Sequence, residues 1–343
     1  MTVEANVDSD ARPIRWGILG AGHIARSFTA DLLLLADQVA AAVGSRSSGR
    51  AQQFAADYGI EKSYGTYAAL AADDSLDVIY IATPHSEHYD TARLCLEAGR
   101  PVLVEKPFTV TAAETAQLIA LATSKRLFAM EGMWTRFNPI VREVTDLVRG
   151  GAIGRITAVT ADLAGAPDYN PDGRLWNPAL AGGALLDVGV YPISFGSMLL
   201  GAPDEVKTVM SPAPTGVDAN TAVITRYPGG AVGLYYSGLW GSSPQVATII
   251  GTGGVITVGS ATGAPFWRAE SYTLTPQDGE RRTKQVTLHG EGFTYEAAEV
   301  ARCLRAGLTE SPLMSLADTL GVMRVLDAAR APSGSIDAPH GVK

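Results

Sequence analysis

The sequence predicts an α/β fold in two domains: an N-terminal doubly wound parallel sheet, then a C-terminal α+β domain with a largely antiparallel, open-faced sheet. Three observations carry this reading. At 343 residues the chain exceeds the ~250 to 300 at which one core usually stops growing. Its first third alternates short apolar runs with helical periodicity, the pattern of parallel strands covered on both faces. Past Met133 the runs become β-branched and alternating, with turns such as Pro228-Gly229-Gly230 between them, which suits antiparallel strands.

Residues 1–13 are polar and acidic and read as a tail without the basic and apolar blocks of a secretory signal. Residues 14–134 form the first domain. Strands are expected at Arg15 to Leu19, Val39 to Gly44, Val78 to Ala82, Pro101 to Glu105 and Leu127 to Met130. The intervening helices run from Ile24 to Leu35, Gly49 to Tyr58, His85 to Ala98 and Thr111 to Thr123, two of them stopped by Gly59 and Gly99. Residues 135–332 form the second domain, with helices at Asn138 to Arg149, Gly183 to Leu200, Tyr295 to Ala306 and Ser315 to Ala329. Its strands are Ile156 to Leu163, Val206 to Met210, Ala219 to Tyr227, Ala231 to Gly238, Gln245 to Gly251, Gly254 to Val258 and Ser271 to Thr275. Residues 333–343 read as a second tail.

Composition narrows the partners. Lys and Arg number 27 against 35 Asp and Glu, a net charge of −8, which argues against nucleic acid or an anionic membrane. No apolar run approaches the ~18 residues of a membrane span, so a soluble, cytoplasmic protein is expected. Cys95 and Cys303 are far apart and outside any CxxC spacing, as buried reduced thiols would be. The histidines form no H-E-x-x-H pattern, and no metal is expected.

The first strand runs into Gly20-Ala21-Gly22-His23-Ile24-Ala25, a G-x-G-x-x-A turn that opens a helix. Small residues admit a pyrophosphate, and the helix N-terminus turns N–H groups and a positive dipole toward it. In a strand-turn-helix setting this is the dinucleotide signature of a Rossmann domain. The second strand ends in Ser45-Arg46, with Arg50 one helical turn later, where an NAD enzyme usually carries Asp or Glu. A hydroxyl and two guanidinium groups suit a 2′-phosphate, so NADP is expected, with NAD as the alternative.

Three further patterns follow: Ile81-Ala82-Thr83-Pro84-His85-Ser86-Glu87-His88, then Glu105-Lys106-Pro107, then Asp187-x-x-x-Tyr191. In this order the chain, from about Ile14 onward, resembles the Gfo/Idh/MocA family of NAD(P)-dependent oxidoreductases. Tyr191, where many members have His, resembles the branch that includes dimeric dihydrodiol dehydrogenases and NADP-dependent D-xylose dehydrogenases. The stretches Met130 to Phe137 and Gly182 to Tyr191 are similar to that branch too. The resemblance implies cofactor contacts at Thr83, Pro84, His85, His88, Glu105 and Lys106. It also implies a homodimer formed through the open sheet face.

The chemistry stands on its own reasoning. Oxidising an alcohol by hydride transfer needs a group that takes the hydroxyl proton. Lys106 lies beyond the end of a parallel strand, where ligands of open α/β sheets gather. A neighbouring ammonium favours phenolate, which makes Tyr191 the proton-transfer group, Lys106 its electrostatic partner and Asp187 a contact for substrate hydroxyls. Either Tyr191 or Lys106 remains open as the acceptor, and packing for Tyr191 or ion pairing for Asp187 is the ordinary alternative. Trp134 and Arg136 are placed at the domain junction near substrate, and Asn170 and Arg174 in the Pro/Gly-rich loop before the catalytic helix, beside Trp176. The expected substrate is a sugar, cyclic polyol or trans-dihydrodiol. The rivals are an NAD-dependent inositol- or anhydrosugar-type dehydrogenase of the same family and a non-catalytic dinucleotide-binding regulator.

Overall fold

The computed structural model describes residues 12–259 and 261–331; most of the expected first tail and all of the second lie outside them. The first sheet is wholly parallel, in the order β3-β2-β1-β4-β5-β6. Its elements are β1 (Ile14–Leu19), α1 (His23–Leu32), β2 (Gln38–Gly44), α2 (Ser48–Tyr58), β3 (Lys62–Tyr64), α3 (Tyr67–Ala71), β4 (Val78–Ile81), α4 (His88–Glu97), β5 (Val102–Glu105), α5 (Ala112–Lys125) and β6 (Ala129–Gly132). Strands β4 and β5 are buried at every residue, as sheets covered on both sides require. The strand order reverses beside β1. The ends of β1, β4 and β5 therefore open one crevice, the usual ligand position in such sheets.

The second sheet has eight strands in the order β14-β13-β12-β11-β7-β10-β9-β8. Helix α6 (Pro139–Arg149), with Asn138 as its cap, leads into β7 (Ile156–Ala164). Then follow α7 (Val190–Leu200), β8 (Glu205–Pro212), β9 (Asp218–Arg226), β10 (Val232–Gly238), β11 (Ala247–Gly251), β12 (Gly254–Val258), β13 (Ser271–Pro276) and β14 (Arg282–Gln285). The sheet is antiparallel except where β10 lies parallel to β7. One face takes the helices. On the other, Val209, Ile224, Leu234 and Tyr236 remain exposed. The segment Pro178–Leu200 is long and apolar enough to cross a membrane by composition, yet it is 72% buried, as a core helix is.

The last two helices, α8 (Phe293–Arg305) and α9 (Leu316–Arg330), turn back onto the first sheet's helices. The Asp31 carboxylate of α1 accepts from the N–H groups of Glu291, Gly292 and Phe293 at 2.9, 2.9 and 2.8 Å, capping α8. Asp327 of α9 accepts from Ala112 N–H at 2.8 Å, at the start of α5.

Four local features depart from the sequence reading. Strand β3 and helix α3 have too few residues to show a period. Strand β14 is four exposed polar residues, a charged edge with no apolar alternation. The expected helix from Gly183 opens instead with a π turn, Leu185–Gly189.

Candidate active site

Each wall of the site follows from local chain geometry. Gly20 has φ +107°, and a Cβ there would lie 2.6 Å from the Ala82 carbonyl oxygen, so only glycine lets β1 close against β4. Gly22 is extended, a Cβ on it would meet nothing within 4 Å, and no side chain caps α1. The first N–H groups of α1, at His23 and Ile24, thus open onto free space. A bare, positively polarised helix end beside a cradle without a side chain fits a dinucleotide phosphate.

At the end of β2, Ser45 is buried and its Oγ accepts from Ser47 N–H at 3.3 Å. Arg46 is exposed and pairs with Glu87 at 3.5 Å. Arg50 lies exposed in the first turn of α2. These three stand outside the main cavity, along the sheet edge where β2 neighbours β1.

The cavity, ≈ 430 Å³, lies between the two sheets. Gly22, His23 and Ile24 line one end, Thr83, Pro84, His85 and His88 come from the segment after β4, and Glu105 and Lys106 from the end of β5. Trp134, Arg174, Asp187 and Tyr191 form the facing wall. Ala82, Leu180 and Trp267 also line it and were not anticipated; the last two sit in single 3-10 turns, Pro178–Leu180 and Phe266–Arg268, too short to carry a pattern.

Asp187 is the electrostatic hub. Its Oδ1 accepts from Arg174 at 2.9 Å and Lys106 at 3.3 Å, and His85 Nε2 stands 3.8 Å away. Burial disfavours the carboxylate, but Lys106 and then Arg174 hold it well below the usual range. Pro192 brings no N–H to the π turn, which leaves carbonyl capacity there. The Asp187 carbonyl takes Lys106 Nζ at 2.6 Å. Burial works against the Lys106 ammonium, yet Asp187, Tyr191 and Glu105 outweigh it and the group stays above its ordinary value. Burial pushes His85 down to about 3, so its ring is neutral at working pH. His88 is buried, kept toward neutral by that burial, with its ring nitrogens 2.8 and 2.9 Å from the Pro107 and Thr83 carbonyls, one of which takes its single N–H.

Lys106 Nζ lies 4.8 Å from the centre of the Tyr191 ring. The Tyr191 hydroxyl accepts from Trp134 Nε1–H at 2.9 Å. No protein acceptor among the described residues takes the hydroxyl's own proton. Burial raises Tyr191 above its ordinary value, and Lys106 and the Trp134 hydrogen bond only partly oppose it. The sequence reading weighed cations, the ammonium and an oxidised nicotinamide, against the free phenol; in the unliganded fold desolvation outweighs the ammonium. Glu105, below Lys106, is also raised, chiefly by burial, and accepts from the Tyr80 hydroxyl at 2.5 Å.

Two expected substrate residues stand elsewhere. Arg136 is buried, its guanidinium donating to Ser194 Oγ at 3.1 Å and pairing with Asp318 at 3.3 Å, away from the cavity. Asn170 is exposed, and its side chain closes a turn by accepting from Asp172 N–H at 3.1 Å. Arginine beside tryptophan at a domain junction carries no signal for which of them faces inward. Trp176, in the same loop, is a buried anchor whose indole N–H donates to the Asp168 carbonyl at 3.0 Å.

Known proteins give the same picture. Residues 14–133 match the oxidoreductase family with an NAD-binding Rossmann fold, and residues 141–257 match the Gfo/Idh/MocA C-terminal domain. The chain is 35% identical over 333 residues to trans-1,2-dihydrobenzene-1,2-diol dehydrogenase of Mus musculus, covering 94% of this chain and 97% of that one. Among solved structures, the 3-ketoreductase KijD10 of Actinomadura kijaniata, in complex with NADP and TDP-benzene, is 27% identical with a TM-score of 0.80 over 93% of this chain and 97% of that one. An aldose-aldose oxidoreductase of Caulobacter crescentus, 24% identical, shares the fold with a TM-score of 0.83 over 93% of this chain and 96% of its own. A bare helix end, a lysine–aspartate–tyrosine cluster facing it, and these matches over both sheets lead to one assignment: the chain is an NAD(P)-dependent oxidoreductase and belongs to the Gfo/Idh/MocA family.

Proposed function

We propose that the chain catalyses the reversible, NADP-linked oxidation of a secondary alcohol on a sugar, cyclic polyol or trans-dihydrodiol. The observation that carries this is the convergence of Lys106, Asp187 and Tyr191 on one cavity, with the Tyr191 hydroxyl proton unclaimed among the described residues. Gly20, Gly22, His23 and Ile24 hold the pyrophosphate, and Ser45, Arg46 and Arg50 the 2′-phosphate. Thr83, Pro84, His85, His88 and Glu105 flank the nicotinamide end. When bound, the dinucleotide supplies the hydride acceptor.

In oxidation the Tyr191 phenolate takes the substrate hydroxyl proton and becomes the phenol, in reduction the phenol gives that proton back, and Lys106, pinned by Asp187, stabilises the phenolate. The indole faces of Trp134 and Trp267, 5.5 Å apart by centroids, border a pocket suited to a ring with one apolar face. The names of the dihydrodiol dehydrogenase relatives and the NADP complex of the 3-ketoreductase support the substrate class and the cofactor.

The exposed apolar sheet face supports a homodimer; light scattering that returned a monomer at micromolar concentration would remove it. Both cysteines are free and buried, in keeping with work in the reducing cytoplasm.

One kinetic experiment tests the central reading: wild type and Tyr191→Phe are assayed on aldoses, polyols and dihydrodiols with each cofactor. Tyr191→Phe is expected to lose ~10²- to 10⁴-fold in kcat and to keep its NADP affinity. A near-normal kcat across the pH range in Tyr191→Phe would overturn the role of the tyrosine.

A further inference from the structure

Trp134 is held with unusual care for a residue that merely borders a pocket. Its ring stacks on Phe293 at the start of α8, with centroids 4.4 Å apart and planes within 10°. Trp267 meets its other surroundings edge-on at 5.5 Å. Gly292 has φ +117°, and a Cβ there would come within 3.0 Å of the Trp134 ring, so the backbone itself forms part of the seat. Gly292 and Phe293 are in turn fixed by the Asp31 carboxylate at 2.9 and 2.8 Å. The only polar atom of the side chain, Nε1, donates to the Tyr191 hydroxyl at 2.9 Å.

A phenol oxygen can donate one hydrogen bond and accept others. With the indole N–H on one lone pair, the O–H bond and the remaining lone pair are turned away from Trp134. An indole N–H only donates, so this bond strengthens when Tyr191 carries negative charge and cannot accept the proton in its place. Arginine or lysine at this position would do the same electrostatic work but would carry a second charge into a buried wall that Lys106 already serves.

We propose that Trp134 is a positioning residue for proton transfer, orienting the Tyr191 hydroxyl toward the substrate oxygen and stabilising its ionised form, rather than chiefly a substrate contact. This rests on Tyr191 being the proton-transfer group. In oxidation the proton leaves the substrate hydroxyl for the Tyr191 phenolate, which becomes the phenol, while the hydride leaves the carbon bearing that hydroxyl for the dinucleotide, and Trp134 keeps its own proton throughout.

The test uses the full chain carrying Trp134→Phe, which keeps a ring on Phe293 and removes the donor. A second variant carries the benzothiophene analogue of tryptophan at position 134 alone, with the same ring outline and no N–H, so that a folding defect in the first leaves the test intact. Both are expected to lower kcat roughly tenfold and to move the acid/base limb of its pH profile up by about one unit, with the alcohol KM and NADP affinity nearly unchanged. In the cofactor-free protein labelled with 15N-tryptophan, the Trp134 indole N–H resonance is expected to shift upfield in Tyr191→Phe. A raised KM with an unmoved pH profile would make Trp134 a substrate contact and overturn the proposal. The two readings separate cleanly: a normal kcat in Tyr191→Phe removes the proton-transfer role, whereas a crippled Tyr191→Phe beside an unmoved Trp134→Phe profile removes only the role of Trp134.

Discussion

Two helix N-termini in this molecule are built alike and finished differently. Helices α1 and α8 both begin after a glycine that offers no capping side chain. At α8 the fold supplies the missing anion, the buried Asp31 carboxylate, which accepts three N–H groups. At α1 no described residue supplies one, and the open end faces the cavity. Asp31 is itself a residue of α1, so one helix offers an unfilled anion site at its start and fills another helix's site near its end. On the proposed reading, the dinucleotide phosphate takes the N-terminus that the described residues leave without a counter-charge.

The comparison breaks most visibly at Asp31. Asp31→Ala removes three charge-assisted hydrogen bonds and leaves their donors unpaired, Gly292 and Phe293 among them in a buried setting. A loss of about 3 kcal/mol in unfolding free energy is expected from the urea midpoint, and an unchanged midpoint would show that the cap adds nothing. A smaller effect follows at the other terminus. If the 2′-phosphate extends the anion site of α1 toward the end of β2, Arg46→Ala weakens NADP by ~1.5 to 3 kcal/mol and NAD hardly at all. Calorimetric titration with both cofactors measures this, and equal losses would detach Arg46 from cofactor choice.

The smallest change makes α1 resemble α8. Gly22 is extended and has room for a side chain, so Gly22→Asp installs a cap without strain. The unliganded protein is expected to gain a few tenths of a kcal/mol, while dinucleotide affinity falls roughly tenfold, about 1.4 kcal/mol, because two anions then compete for one helix end. Retained affinity would mean that the phosphates bind away from that end.

The contrast also explains what could be read from the sequence. The α1 site was legible because strand, glycine turn and helix are contiguous, and Glu105-Lys106 and Asp187-x-x-x-Tyr191 are short patterns whose parts share one segment. The alternation of β8 to β13 gave strands of the second sheet, whereas their order, the parallel pairing of β10 with β7 and the charged edge β14 needed the fold itself. Asp31 looked like one more helix residue, because its partners lie up to 262 positions away. Leu180 and Trp267 were invisible for the same reason. Arg136 was misplaced because its partners, Ser194 and Asp318, are brought to it only by α7 and α9. The π turn escaped because the apolar run from Gly183 to Leu200 reads as one α-helix, and a Pro within it, as at Pro192, is read as a kink rather than a change of hydrogen-bond step.

The tie between Asp31 and α8 has a consequence for how the protein is made. On the ribosome, β1 and α1 emerge early, but the residues that cap, cover and stack beside them, Glu291 to Phe293, come out after both sheets have been synthesised. Phe28 stacks on Tyr80 and meets Trp16 edge-on within the first domain, and gains Phe293, edge-on at 6.2 Å, only then. A contact this distant along the chain is slow to close. The nascent first domain thus stays unfinished, with an apolar seam and a lone carboxylate exposed to chaperones, until nearly the whole polypeptide has been translated.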